Sequence, residues 1–452
     1  MLTKDRSFYR TFVRLCATLM LEQAVILSVN LIDNLMLGAY SEAALSGVAA
    51  VNQIQFVLQQ LVYAVNNAMI VLGSQYWGQK RLNEIRRLSS IGLRAGLLIA
   101  LILFALVSLF PWQALALFTT DSAIAAEGVS YLSIIRFSYL FFAATTVMLG
   151  TMRIVESVRI ALRVSVVSLA VNVAINYLLI AGHFGFPEMG ARGAAIGTLA
   201  ARMVEFVIVG VHLFTREKGL NIRPRDYLTV DRAMLRDYVR VGAPVLVASA
   251  TWGVSNALQT VILGHMSASA IAAQSISSTL FLLLKVNSAG AASAAAIIIG
   301  RTVGFGDTGK IRDYTRTLQW LFAGIGLTLG LIMFAIRVPL LSVYRVSDET
   351  RALANAYMLI QSVVLFTMSY QMPVNTGIIR GGGDTRFAMI LDIVSIWGIV
   401  MPLSFLGAFV WKLSPIVVIM FLNADQVFKC VPAFIRANSY RWIRNLTRPE
   451  KA

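Results

Sequence analysis

The hydrophobic positions of this chain gather into long, nearly unbroken blocks, not into the one-sided stripe of a helix that packs on a soluble core. Stretches such as Leu97 to Phe110, Val164 to Ala181 and Ile390 to Val410 are long enough, with their flanks, to cross a bilayer core as helices of about 20 residues. The polar connectors between blocks predict twelve helices, near 15–37, 47–74, 90–111, 129–150, 160–182, 191–214, 240–264, 270–300, 316–338, 354–378, 387–409 and 414–438. The polar, basic start, Met1 to Arg14, leads into an apolar segment longer than a signal-peptide core, so the first block reads as a retained span.

The largest hydrophilic connector lies mid-chain and contains Pro224 and a cluster of bases. It divides the chain into an N-terminal six-helix lobe over 1–215, a linker over 216–239 and a C-terminal six-helix lobe over 240–452. The lobes also align. Gly38 matches Gly264 (264−38=226), Gly73 matches Gly300 (300−73=227) and Arg153 matches Arg380 (380−153=227). Such a register is an internal duplication, and because each unit has an even number of spans both copies enter from the same side. The expected fold is an all-α membrane protein: twelve transmembrane helices in two pseudo-symmetric six-helix bundles, a parallel repeat.

Composition removes the soluble alternative. The chain is 58% hydrophobic and 13% charged, against about 25% charged for ordinary soluble domains. Cys16 and Cys430 lie near opposite ends and make neither a disulfide framework nor a metal cluster. The net charge of +17 would suit nucleic acid, but its distribution argues otherwise. Lys and Arg concentrate at the N-terminus, in alternate loops (Lys80 to Arg94, Arg153 to Arg163, Arg216 to Arg240, Arg301 to Arg316, Arg380 to Arg386) and in the tail Arg436 to Lys451. The intervening loops hold Glu42, Asp121, Glu127, Glu188, Asp348 and Glu349. This positive-inside pattern predicts a plasma (inner) membrane protein with both termini cytoplasmic, and no nucleic-acid partner.

Polar residues inside the blocks are the candidate chemistry. Asn30, Asp33 and Asn34 share one face of the first span, and a carboxylate at mid-span costs about 2.5–3.5 kcal/mol on insertion scales. Such an acid facing a cavity is suited to taking up a proton or a cation; the alternative is a side chain reaching the nearby surface, since Gly38 closes the span about a turn later. Ser165, Ser168, Asn172 and Asn176 form a stripe on the fifth span and the sixth adds Thr198. These oxygens suit a hard cation such as sodium, or a protonated acid, and equally serve as interhelical hydrogen bonds. The second span is rich in amides, of which Gln55, Gln59 and Asn66 fall near one stripe that would face the central cavity. Arg202 and Glu205 are spaced to pair.

Several motifs carry a resemblance: Asn30-Leu-Ile-Asp-Asn-Leu-Met-Leu-Gly38, Gly73-Ser-Gln-Tyr-Trp-Gly78, Asn172 with Asn176, Gly193-Ala-Ala-Ile-Gly-Thr198 and Arg380-Gly-Gly-Gly-Asp-Thr-Arg386. The chain resembles multidrug and toxic compound extrusion (MATE) transporters, of the superfamily that includes polysaccharide and lipid flippases. The resemblance implies a cation site at Asp33, Asn172, Asn176 and Thr198. Some members have an acid where this chain has Asn176, and one branch has acids on the seventh and tenth spans where Ser249 to Val254 and Thr367 to Gln371 contain none. Coupling is therefore expected through the N-terminal lobe.

In the other lobe the substrate-cavity candidates are Asn256, Gln259, Lys285 and Asn287, beside Asn30, Gln55, Gln59 and Asn66 in the first. Lys285 must meet water or an acid; it contacts an anionic or polar substrate group, or it pairs with an acid such as Asp392. Gly304-Phe-Gly-Asp-Thr-Gly-Lys310 mimics a phosphate loop, but Ile311 stands where Ser or Thr is needed and no strand precedes it. His183, His212 and His265 lie apart near span ends, which argues against an intramembrane enzyme. The expected function is a secondary antiporter that exports organic, cationic or amphipathic compounds in exchange for protons or sodium ions by alternating access. Its partners are a small-molecule substrate and the lipid bilayer; it acts as a monomer without cofactor, and a transient sodium ion at Asp33 is the only metal anticipated. The alternative is a flippase for a lipid-linked or polar intermediate. At offset 226 the match of Asp33 is Gln259, and at offset 227 Lys285 matches Leu58, so the scaffold is symmetric and the chemistry is not.

Overall fold

The computed structural model describes residues 2–119, 121–216, 220, 231–264, 266, 268–344 and 346–449. Linker residues 217–219 and 221–230, and His265, lie outside the described residues. The described chain is helical, without strands, and twelve long helical segments follow one another. They are α1 Arg6–Tyr40, α2 Glu42–Gly78, α3 Leu82–Leu109, α4 Ser122–Ile135 with Ser138–Ile154, α5 Arg159–Leu179 and α6 Ala191–Arg216. In the second half are α7 Arg232–Gly264, α8 Ala268–Phe305, α9 Thr308–Val343, α10 Asp348–Ile379, α11 Thr385–Val410 and α12 Pro415–Leu422 with Ala424–Ser439. The protein is thus an all-α membrane protein of twelve helices in two six-helix sets.

The helices run past the apolar blocks because their ends are capped in polar sequence: Asp121 accepts from Ala123 N–H at 2.8 Å, Asp307 from Lys310 N–H at 3.0 Å and Ser347 from Thr350 N–H at 3.2 Å. Two spans are broken, α4 by 53° and α12 by 42°. Pro244 lies inside α7 and Pro339 inside α9, and α10 and α11 contain π-helical turns at Pro373–Ile379 and Val394–Val400. Neighbouring helices make such irregularities tolerable at membrane depth.

The chain forms two compact units, one of Leu21–Gly73 and Arg81–Gly242, the other of Met1–Met20, Ser74–Lys80 and Ala243–Ala452. The first has its apolar core around Leu58, Val62, Tyr139 and Phe142, the second around Tyr357, Met358, Leu365 and Val400.

Equivalent glycines reveal the repeat within each unit. In the first, Gly150 of α4 lies so close to Asn66 of α2 that a Cβ there would overlap the amide. In the second its counterpart Gly377 (377−150=227) brings α10 onto α8, where a Cβ would meet Ala292 O and Ala295 Cβ at 2.8 Å. In this second unit the ends of α2 and α8 also cross reciprocally: a Cβ on Gly78 would collide with Arg301 O, and one on Gly304 with Gln75 O. The phosphate-loop mimic is therefore a helix crossing followed by a cap, with Gly304 at the contact, Gly306 at φ +80° and Asp307 starting α9.

Candidate functional site

Site construction in the first unit begins with α5. Its residues 165, 168, 172 and 176 recur at helical spacing and all four are buried. Two glycines of α6 let that helix approach: a Cβ on Gly193 would lie 2.6 Å from Leu179 O, and one on Gly197 would overlap Asn176 Oδ1. Small residues four apart are the usual means by which membrane helices pack closely.

That approach assembles a hydrogen-bonded chain across three helices. Asn176 Nδ2 donates to Asp33 Oδ1 at 2.6 Å and to Asn172 Oδ1 at 3.4 Å, and Asn172 Nδ2 donates to Thr198 Oγ1 at 3.3 Å. Asn172 and Asn176 are 1% and 0% exposed, whereas Asp33 is half-buried. Asn176 Oδ1 is buried without a hydrogen-bond partner. The four residues of the anticipated cation site therefore meet in space. They present a carboxylate, amide oxygens and a hydroxyl, a donor set suited to a hard monovalent cation and able to hold a protonated acid.

A cavity of about 100 Å³ adjoins this network, reaching Asn30, Gln59, Asn172 and Thr198 and continuing along α4 to α6. Its volume is enough for a few waters and is below the 300–1,000 Å³ usual for organic ligands. Two ion pairs line it. Glu22 Oε1 meets Arg153 Nη2 at 2.5 Å, and Arg202 Nη1 meets Glu205 Oε2 at 2.8 Å, with the Arg202 guanidinium 5.2 Å from the Phe142 ring centre. The Arg202–Glu205 pair is the one its spacing predicts. Arg153 corrects its assignment to a basic loop: it ends α4, its side chain is 16% exposed and it neutralises an acid on α1. Glu22 was not anticipated, although it stands three turns before Asp33 on the same face of α1.

Of the other amides, Gln55 is half-buried and does not reach the cavity wall, and Asn66 is 2% exposed in the α2–α4 contact at Gly150.

In the second unit the candidates are dispersed. Gln259 Nε2 donates to Ser255 Oγ one turn back on its own helix at 3.3 Å, Asn287 Nδ2 donates to Leu284 O at 2.9 Å, and Asn256 is exposed. Lys285 Nζ lies 5.2 Å from the centre of the Trp252 ring. Asp392, the acid considered for it, is instead 3.0 Å from Lys429 Nζ, which also meets Asp425 at 3.1 Å. Lys429 reaches Asp392 from α12, one turn after Asp425. The Arg380–Arg386 turn closes on Asp384, 1% exposed, which pairs with Arg436 and, at 3.3 Å, with Arg444.

Comparison with known proteins agrees with this architecture. Residues 19–178 and 244–406 each match the family model described as MatE. The two matches start 225 residues apart (244−19=225) and so also record the duplication. A probable multidrug resistance protein NorM of Thermotoga maritima is 24% identical over 96% of this chain and 93% of its own, and one of Bacillus anthracis is 25% identical over 88% of each. Among solved structures, the Vibrio cholerae MATE transporter VcmN in its bent form superposes with TM-score 0.86 at 16% identity, covering 97% of this chain and 98% of that one. The eukaryotic MATE transporter AtDTX14 gives 0.85 at 15% identity over 97% of each. These structural likenesses establish the fold.

Proposed function

The chain belongs to the MatE family of membrane transporters, and from that premise we propose that it is a secondary antiporter that exports organic compounds in exchange for a proton or a sodium ion bound at Asp33. The observation that carries the reading is the bond from Asn176 Nδ2 to Asp33 Oδ1, 2.6 Å long, in a network that opens on a water-sized cavity. A carboxylate at membrane depth is costly unless it is paired or used. Here its direct donor is an amide and not a base, so a proton or sodium ion can supply the missing positive charge. Asn172, Asn176 and Thr198 complete the oxygen shell, and the cation is cargo.

The protein sits in the plasma (inner) membrane with its basic ends cytoplasmic, and performs transport without a cofactor or catalysis. Access alternates between the two sides of the membrane. Names of the relatives above support multidrug export. On the substrate side Lys285, half-buried and stacked on Trp252, favours molecules that combine an aromatic surface with an anionic or polar group. A Pyrococcus furiosus transporter of TM-score 0.85 is described as having a binding pocket of reverse polarity that suggests a different function; a cation in the pathway is the feature that would support the flippase alternative.

In proteoliposomes, ethidium transport driven by imposed pH or sodium gradients tests the coupling site. Asp33→Asn should abolish gradient stimulation while leaving ethidium binding within about threefold of wild type. Full stimulation in this variant would remove Asp33 as the coupling residue.

A further inference from the structure

The cavity beside the Asp33 network has a far end, and that end is built around an acid. Glu22 is 3% exposed. Its Oε1 is held by Arg153, but its Oε2 is buried with no hydrogen bond, as are Arg153 Nε and Thr145 Oγ1, and all three residues line the same cavity. Ser165 and Ser168 add hydroxyls from α5 to the wall between Glu22 and Asn172. The other charged or titratable groups on the wall are Tyr63 from α2, Arg153 from α4, and Arg202 and Glu205 from α6. Both acids of the wall are paired through one oxygen, and Glu22 is the one whose second oxygen is buried without a hydrogen bond.

From Asp33 to Glu22 is eleven residues of one helix, about 16 Å at 1.5 Å per residue. No side chain spans that distance, whereas the polar chamber runs from Glu22 to Asn172 and Thr198 of the Asp33 network. We propose that the chamber is an inner station of the ion route, where Glu22 receives the monovalent cation that leaves Asp33 and passes it towards the Arg153 end of the bundle. This rests on the reading of Asp33 as the coupling site. For a proton, the O–H bond breaks at Asp33 and forms at Glu22 Oε2, so one carboxylate is regained as the other is neutralised. For sodium, Glu22 Oε2 and the hydroxyls of Thr145, Ser165 and Ser168 supply oxygen ligands. Arg153 makes this a station and not a trap: a guanidinium already bonded to Oε1 weakens the hold on any second cation.

The experiment reconstitutes wild type, Asp33→Asn, Glu22→Gln, Glu22→Asp and the charge-neutral pair Glu22→Gln/Arg153→Gln in vesicles. It reads ethidium binding, ethidium transport, and entry of protons (an internal pH dye) or of radioactive sodium in separate arms. Glu22→Gln should cut gradient-driven transport at least tenfold with ethidium affinity within threefold, and Glu22→Asp should restore much of it. The ion arm that falls with transport identifies the cation. If Glu22→Gln does not fold because Arg153 is left unpaired, the double variant replaces it, and its loss of ion entry carries the same weight. A double variant that couples like wild type reduces Glu22 and Arg153 to a structural pair and overturns the proposal. If Asp33→Asn couples normally, the coupling assignment fails instead, so the two failures are told apart.

Discussion

Substituting Gly197 by Ala tests whether helix approach builds the site. A methyl on Gly197 would overlap Asn176 Oδ1 and stand 3.0 Å from Asn176 Cγ and 3.4 Å from Asn172 O. The first atom that methyl meets is the end of the Asn176 side chain, which gives way more easily than the Leu179 backbone that a Cβ on Gly193 would meet one turn away. The amide of Asn176 must therefore turn, and its 2.6 Å bond to Asp33 is lost. A hydrogen bond to a charged group contributes about 1.5–3 kcal/mol, and overpacking costs about 1–3 kcal/mol. At about 1.4 kcal/mol per factor of ten, loss of the Asp33 bond corresponds to roughly a 10- to 100-fold change in coupling-ion binding. The assay is the coupling-ion dependence of ethidium transport in proteoliposomes, alongside the thermal midpoint in detergent. Gly197→Ala should shift the half-saturating coupling-ion concentration at least tenfold, downward for a proton because the lost bond holds the ion-free carboxylate, whereas Gly210→Ala on the same helix, where a Cβ meets nothing within 4 Å, should leave it unchanged. Wild-type coupling in Gly197→Ala would show that the Asn176–Asp33 bond does not govern the site.

Lys285→Ala should lower export of an anion such as carboxyfluorescein about tenfold relative to ethidium, with little change in stability, since a cation–aromatic contact contributes about 0.5–2 kcal/mol; an unchanged ratio would exclude Lys285 from substrate recognition. At the start of the chain, the Tyr314 hydroxyl, 2.7 Å away, and Ser7 lower the Asp5 carboxyl from 3.8 to about 2. Its folded value lies below its unfolded one, so the contact stabilises fully above about pH 4 and is lost as pH falls through 2. Amide exchange at residues 6–10 should be faster at pH 2 than intrinsic rates predict, and Asp5→Asn should show the same excess at pH 5; a pH-independent excess would contradict the assignment.

Much of the architecture is legible in the chain because apolar block length has one solution in lipid and the duplication repeats it. The bend in α4 is not, since Arg136-Phe137-Ser138 contains neither proline nor glycine. Asp33, Asn172, Asn176 and Thr198 could be named from residue type and family pattern, but their meeting depends on Gly197, whose meaning is a missing Cβ. Glu22 and Arg153 escaped because they are 131 residues apart and Arg153 is next to a run of bases. Lys285 has two readings in the sequence because residue type does not say which base meets Asp392; in the structure Lys429 does, and Lys285 lies over Trp252.

Coupling is reciprocal, so an outward ethidium gradient must drive the coupling ion inward. The direct measurement is ion entry into vesicles on imposing that gradient, with no ion gradient present, in wild type and Asp33→Asn. The account predicts entry of protons or sodium in wild type and none in the variant; equal entry in both would contradict it.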